Sequence, residues 1–202
     1  MLRLNYRGST GYGRDFLEAG KGTMFARLQQ DVLDAARWAV DGGHAAEGRI
    51  ALLGASFGGF LVLTMLVRHP EAFQAGVAVN GITDTVTFWK REWQRSSHRV
   101  LWREFLASND LPEAALARIS PVNNVRKLDA PVLLLVGTRD RRVPAEYGFE
   151  LFDLLRAVGK RAELIEYRGR GHELFGDSRD IREHAAGALT EFLDKHLPVD
   201  RQ

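Results

Sequence analysis

The sequence predicts an α/β fold, a mainly parallel sheet with helices on both faces. Short apolar runs alternate with segments whose apolar residues recur at helical spacing along the whole chain, the pattern of strand–helix–strand units. One of those runs, Arg49-Ile50-Ala51-Leu52-Leu53, passes through Gly54-Ala55-Ser56-Phe57-Gly58-Gly59 into the apolar segment Phe60 to Arg68. Finally, Ser56, Asp140 and His172 each stand just after a predicted core strand, the end of a parallel sheet at which ligands bind.

The elements follow in order. Leu2 to Tyr6 reads as the second half of a strand, running into the glycine-punctuated loop Arg7-Gly8-Ser9-Thr10-Gly11-Tyr12-Gly13. The loop lacks the Gly-Lys-Ser/Thr ending of a phosphate-binding loop. A domain seldom begins inside a core element, so the chain is expected to be a C-terminal piece of something longer or to start at an internal methionine. Phe25, Leu28, Val32, Ala36 and Ala39 predict an amphipathic helix over Thr23 to Val40, ended by Gly42-Gly43. After the serine turn and its buried helix, Arg68-His69-Pro70 closes that helix, with His69 read as a cap. Ala75 to Val79 is a third strand ending at Asn80-Gly81.

Residues 82–124 are the least regular part and predict two or three helices. They carry Phe88, Trp89, Trp93, Trp102 and Phe105. Such an excursion either lines a substrate pocket or is an ordinary helical layer over the sheet. Pro131 to Gly137 is the strongest strand signal, bounded by Pro and Gly. Tyr147, Leu151, Leu154, Leu155 and Val158 mark a helix, Ala162 to Tyr167 a final strand, and Ile181, Ala185, Ala188, Phe192 and Leu193 a last helix capped by Asp177 or Ser178.

Composition narrows the function classes. The chain has 202 residues, 45% of them hydrophobic and 27% charged, which suits one domain with a true core. A net charge of +2 gives no reason to expect nucleic acid or an anionic membrane as partner. There is no cysteine, which excludes disulfides, thiolate chemistry and Cys-based zinc sites. No stretch reaches the length of a membrane span and no signal peptide is present, so the expected location is cytoplasmic. No His, Asp and Glu cluster has metal-ligand spacing, and the chemistry calls for no metal or other cofactor.

The Gly-x-Ser-x-Gly turn between strand and helix forces its serine into a strained conformation that lifts the hydroxyl above the sheet. It also points the N–H of Phe57 to where an oxyanion would form. A serine hydroxyl is a poor nucleophile near neutral pH unless a base lies within hydrogen-bond reach and a carboxylate orients that base. Asp140 follows the strand ending at Gly137, and His172 follows the one ending at Tyr167. His44, His98, His184 and His196 lie on predicted helices or their connections, which leaves His172 as the well-placed base. Asp84 and Asp177 are the fallback carboxylates. Each choice has a plainer reading: Asp140 as a turn residue, His172 as a solvated loop residue. The chain order Ser, Asp, His is that of α/β-hydrolases.

Four stretches together resemble the prolyl oligopeptidase family of serine peptidases, in the flavour of its acylaminoacyl-peptidase and dipeptidyl-peptidase branch. They are Asn5 to Gly13, Gly54 to Gly59, Asp140-Arg141-Arg142-Val143-Pro144 and Gly171-His172. The resemblance implies an α/β-hydrolase catalytic domain with Ser56, Asp140 and His172 as its triad. It also implies that Tyr12 donates its phenolic O–H to the oxyanion beside Phe57, that Arg142 holds a substrate carbonyl oxygen, and that Trp89 and Trp93 line the pocket before the scissile bond. A packed loop aromatic and a surface arginine are the plainer readings of Tyr12 and Arg142. Members of the family carry further strands before the Asn-Tyr-Arg-Gly-Ser loop and a β-propeller before those, and these are the expected missing partners. The domain is therefore expected to lack its first strands, to be a single partial hydrolase domain over 1–202, and to leave a strand edge open to association with a second copy. The expected function is hydrolysis of short peptides or acyl-peptides through an acyl-enzyme. The alternatives are a carboxylesterase using the same groups and a non-catalytic fragment.

Overall fold

The computed structural model describes residues 1–21, 26–95 and 113–197, with the backbone alone for 92–95. The elements are α1 (Arg14–Glu18), α2 (Ala26–Asp41), β1 (Ala51–Ala55), α3 (Phe57–Arg68), β2 (Ala75–Val79), α4 (Thr85–Arg95), α5 (Glu113–Ile119), β3 (Val132–Gly137), α6 (Ala145–Ala157), β4 (Ala162–Tyr167) and α7 (Arg179–His196). Short 3-10 turns occupy Pro121–Lys127 and Leu174–Gly176. The four strands among these residues form one parallel sheet in the order β1-β2-β3-β4.

Alternation along the strands assigns the two faces. Ala78, Val132, Leu134 and Val136 face one way, onto Val62, Leu63, Met65 and Leu66 of α3 and Leu151 and Leu155 of α6. Val77, Val79, Leu133, Leu135 and Tyr167 face the other way, onto Ala185 and Phe192 of α7. β2 and β3 are buried throughout, as strands covered by helices on both faces must be. Each fully buried leucine of this core contributes about 1.5–3 kcal/mol of transfer free energy.

Three expectations are corrected. Leu2 to Tyr6 is not a strand. Among the described residues no ladder partner is assigned to it, and β1 is the edge strand of the sheet, with Leu53 44% exposed. The N-terminal segment is instead pinned from the side, where the guanidinium and backbone N–H of Arg7 both bond the carboxylate of Asp31 on α2 (Nε–Oδ1 2.8 Å, N–Oδ2 2.8 Å). The helix after Ser56 begins at Phe57 rather than Phe60, because Phe60 N–H already donates to Ser56 O. Ser178 holds the N-cap position of α7 but makes no side-chain capping bond, while Asp177 Oδ1 accepts the Ser178 N–H at 2.6 Å. The expectations resting on Thr23, Phe25, Trp102 and Phe105 lie outside the described residues.

The β1–α3 junction is tight for a steric reason. A Cβ on Gly54 would run into the main-chain carbonyl of Gly58, and one on Gly59 would come within 2.8 Å of Gly81 Cα. Main chain cannot rotate away as a side-chain tip can, so Gly54→Ala is expected to destabilise the fold by about 1–3 kcal/mol. Gly187 lies inside α7 with open space around it, so Gly187→Ala is expected to stabilise by about 0.5–1 kcal/mol. Urea midpoints measured on the two variants, at unchanged m-value, check the opposite signs.

Candidate active site

The parallel ladder places the ends of β1 to β4 along one edge, with Ala55 level with Val79, Val79 with Leu135, and Gly137 with Tyr167. Ser56 is the first residue past β1. Its backbone sits at φ 55°, ψ −118°, a left-handed φ that is uncommon outside glycine. Two main-chain bonds fix the turn, Ser56 N–H to Val79 O at 2.8 Å and Phe60 N–H to Ser56 O at 3.1 Å. Phe57 opens α3, and the first N–H groups of an α-helix point outward along its axis.

Asp140 and His172 meet across the loops that follow β3 and β4. His172 Nδ1 lies 2.6 Å from Asp140 Oδ2. The Asp140 side chain is wholly buried and that of His172 is 11% exposed. The other carboxylate oxygen, Oδ1, accepts the backbone N–H groups of Arg142 (2.8 Å) and Val143 (3.0 Å). A buried carboxylate is costly unless its lone pairs are used, and here both oxygens are. An ionised carboxylate only accepts, so in the neutral imidazole this contact puts the proton on Nδ1 and the lone pair on Nε2. Among the described residues no hydrogen bond joins Ser56 to His172.

The remaining candidates fall into separate surroundings. Tyr12 is 56% exposed, accepts a bond from Asn5 Nδ2 at 2.6 Å and packs on Phe16. Arg142 is exposed and pairs with Glu173 at 3.4 Å, next to His172. Trp89 is half-buried against the cluster of Leu28, Phe60, Leu61, Ile82, Phe88, Val143 and Tyr147, against which Phe57 also packs. Trp93 belongs to α4 by its backbone, and its side chain lies outside the described residues. Of the fallback carboxylates, Asp84 caps the start of α4 through Val86 N–H, and Asp177 pairs with Arg170. Neither contacts His172 among the described residues. No group of three His, Asp or Glu side chains able to hold a metal occurs among the described residues.

Two residues near the site escaped the sequence reading. Tyr6, assigned there to a strand, packs edge-on against Phe57 with ring centroids 6.4 Å apart. Asn80, read only as a strand end, has a left-handed backbone and hydrogen bonds to the loop bearing His172. The one sequence signal for Asn80 is the Asn-Gly pair, since Asn tolerates positive φ.

A four-stranded parallel sheet with helices on both faces and these three strand-end loops is the architecture of an α/β-hydrolase. It superimposes on a puromycin-hydrolysing peptidase of Mycobacterium tuberculosis with a TM-score of 0.85 and 27% identity, covering 98% of this chain and 30% of that one. The chain belongs to the prolyl oligopeptidase family, which it matches over residues 1–200. It is 29% identical over 194 residues to dipeptidyl aminopeptidase BIII of Pseudoxanthomonas mexicana, covering 95% of this chain and 28% of that protein. It is 33% identical over 183 residues to the acylamino-acid-releasing enzyme of Arabidopsis thaliana, covering 86% of this chain and 23% of that protein. The chain thus spans under a third of the length of these relatives. Among the described residues no helix is long and apolar enough to cross a membrane.

Burial raises the phenol pKa of Tyr6 above its ordinary 10.0. The folded state therefore keeps this proton when the unfolded chain has begun to lose it. Stability from this group is full below the ordinary phenol value and is lost as pH rises through the folded one. Tyr6→Phe is expected to lose less stability than the parent between about pH 9 and about pH 11, as urea unfolding at both pH values would reveal.

Proposed function

We propose that this chain is the acyl-transfer region of a serine peptidase that cleaves short peptides, with Ser56, Asp140 and His172 as its triad. The observation that carries the reading is the 2.6 Å bond between His172 Nδ1 and the buried Asp140, one strand-end loop from the next. This arrangement holds one imidazole tautomer and leaves Nε2 as the base. Ser56 Oγ attacks the acyl carbon while Nε2 takes its proton. The C–N bond then breaks, and His172 returns the proton to the leaving amine. Water, activated by the same Nε2, hydrolyses the acyl-enzyme and restores Ser56. The bond from Ser56 Oγ to Nε2 closes when substrate binds, as catalytic hydrogen bonds in unliganded sites commonly do.

The N–H of Phe57 and the phenol of Tyr12 serve the developing oxyanion in this reading. Tyr12 already accepts from Asn5, so its own O–H is the group it has to donate. Arg142 exchanges its exposed partner Glu173 for a substrate carbonyl oxygen, and Trp89 lines the pocket beside Phe57. The relatives named for dipeptidyl and acylamino-acid release support a substrate read from its N-terminal end.

A fluorophosphonate probe is expected to label the chain at one site, with labelling abolished in Ser56→Ala. Asp140→Asn is expected to lower kcat by roughly 10⁴, because the amide favours the wrong imidazole tautomer. Turnover of dipeptidyl or acylaminoacyl anilides over p-nitrophenyl esters supports a peptidase, and the reverse preference an esterase. A folded sample that takes up no probe overturns the enzymatic reading.

A further inference from the structure

Asn80 is 4% exposed and stands one residue past β2, the central neighbour of the serine turn. Its side-chain amide is used at both ends. Nδ2 donates to the carbonyl oxygens of His172 (2.9 Å) and Gly171 (3.2 Å), and Oδ1 accepts the N–H of Gly137 at 2.8 Å. Its own N–H donates to Leu135 O at 2.9 Å, and the preceding carbonyl, Val79 O, receives the Ser56 N–H. Two consecutive residues therefore touch the turn that bears Ser56, the last turn of β3 before Asp140, and the main chain of His172.

The backbone of Asn80 lies at φ 45°, which restricts the position to Gly, Asn or Asp without strain. Of these, only Asn supplies a donor and an acceptor together. Glycine keeps the backbone and loses the amide. Aspartate keeps the acceptor for Gly137 and sets a carboxylate oxygen against two carbonyl oxygens.

We propose that Asn80 is a positioning residue for His172: its amide clamps the main chain at 171–172 to the end of β3, so that the imidazole meets Asp140 and faces Ser56. The proposal rests on the serine-hydrolase reading of the site. The clamp acts on the base and not on substrate, so its loss is expected to lower kcat with KM nearly unchanged.

The test uses the full chain as Asn80→Gly and Asn80→Asp, each checked for folding by far-UV circular dichroism. The first readout is the downfield imidazole N–H proton of His172 in the NMR spectrum, assigned by its disappearance in His172→Ala. The second is the rate of fluorophosphonate labelling of Ser56. A folded variant is expected to lose or broaden that resonance and to label roughly ten- to a hundredfold more slowly. A folded variant that keeps the resonance and labels like the parent, even with a lowered unfolding midpoint, overturns the proposal, since a purely structural amide would behave that way. A parent that shows the resonance but takes up no probe, with the resonance lost in the variants, supports the clamp while refuting the hydrolase reading.

Discussion

Every strand of a parallel ladder delivers the chain to the same edge of the sheet, and this constraint organises the molecule. Residues far apart in sequence, at positions 56, 80, 140 and 172, all leave the sheet on one side because β1 to β4 run in one direction. Covering both faces with helices is what holds the strands in that arrangement. Val77, Val79, Leu133 and Leu135 pack under α7 while Val132, Leu134 and Val136 pack under α3 and α6. The register then decides which loops adjoin: the serine turn beside the end of β2, and the loops of Asp140 and His172 side by side.

The cost of burying a carboxylate explains the shape of that edge. Asp140 has no side-chain exposure, and its charge is met by two backbone N–H groups and one imidazole N–H. A loop that carried it in without those donors would leave an uncompensated buried charge. The segment Arg141–Val143 is therefore folded back on the carboxylate, and the loop after β4 is drawn across it. Two further bonds tie the same loops together, one between main-chain groups, Arg139 N–H to Arg170 O at 2.8 Å, and one to a side chain, Gly169 N–H to Thr138 Oγ1 at 2.8 Å. Gly137 has no room for a side chain, since a Cβ there would come within 2.5 Å of Gly171 O. The surroundings of Asp140 and His172 are thus held largely by backbone contacts, which tolerate little change.

The N-terminal segment and β1 are held differently. Residues 5–13 are anchored by the Arg7–Asp31 pair and by Tyr6 against Phe57, not by a ladder. β1, at the edge, is half exposed, whereas the central strands β2 and β3 are fully buried. An edge of this kind offers unpaired main-chain groups to another strand. Tyr12, on that N-terminal segment, accepts from Asn5 and packs on Phe16, so its placement stands on side-chain contacts.

Periodicity and turn chemistry, read from the sequence alone, determined the four strands, the helices that cover them, the strained serine turn and the strand-end positions of Asp140 and His172. These are local properties: alternation of apolar residues, glycines where a Cβ would clash, and the end of an apolar run. Only the tertiary structure decided that Leu2 to Tyr6 joins no ladder, that Tyr6 and not Tyr12 lies against Phe57, and that Asn80 reaches the main chain of His172. Each of these is a contact between segments at least 50 residues apart or a choice between equivalent pairing partners. A sequence states which groups are available for such contacts, but the packing of α2, α3 and the sheet determines which of them come within reach.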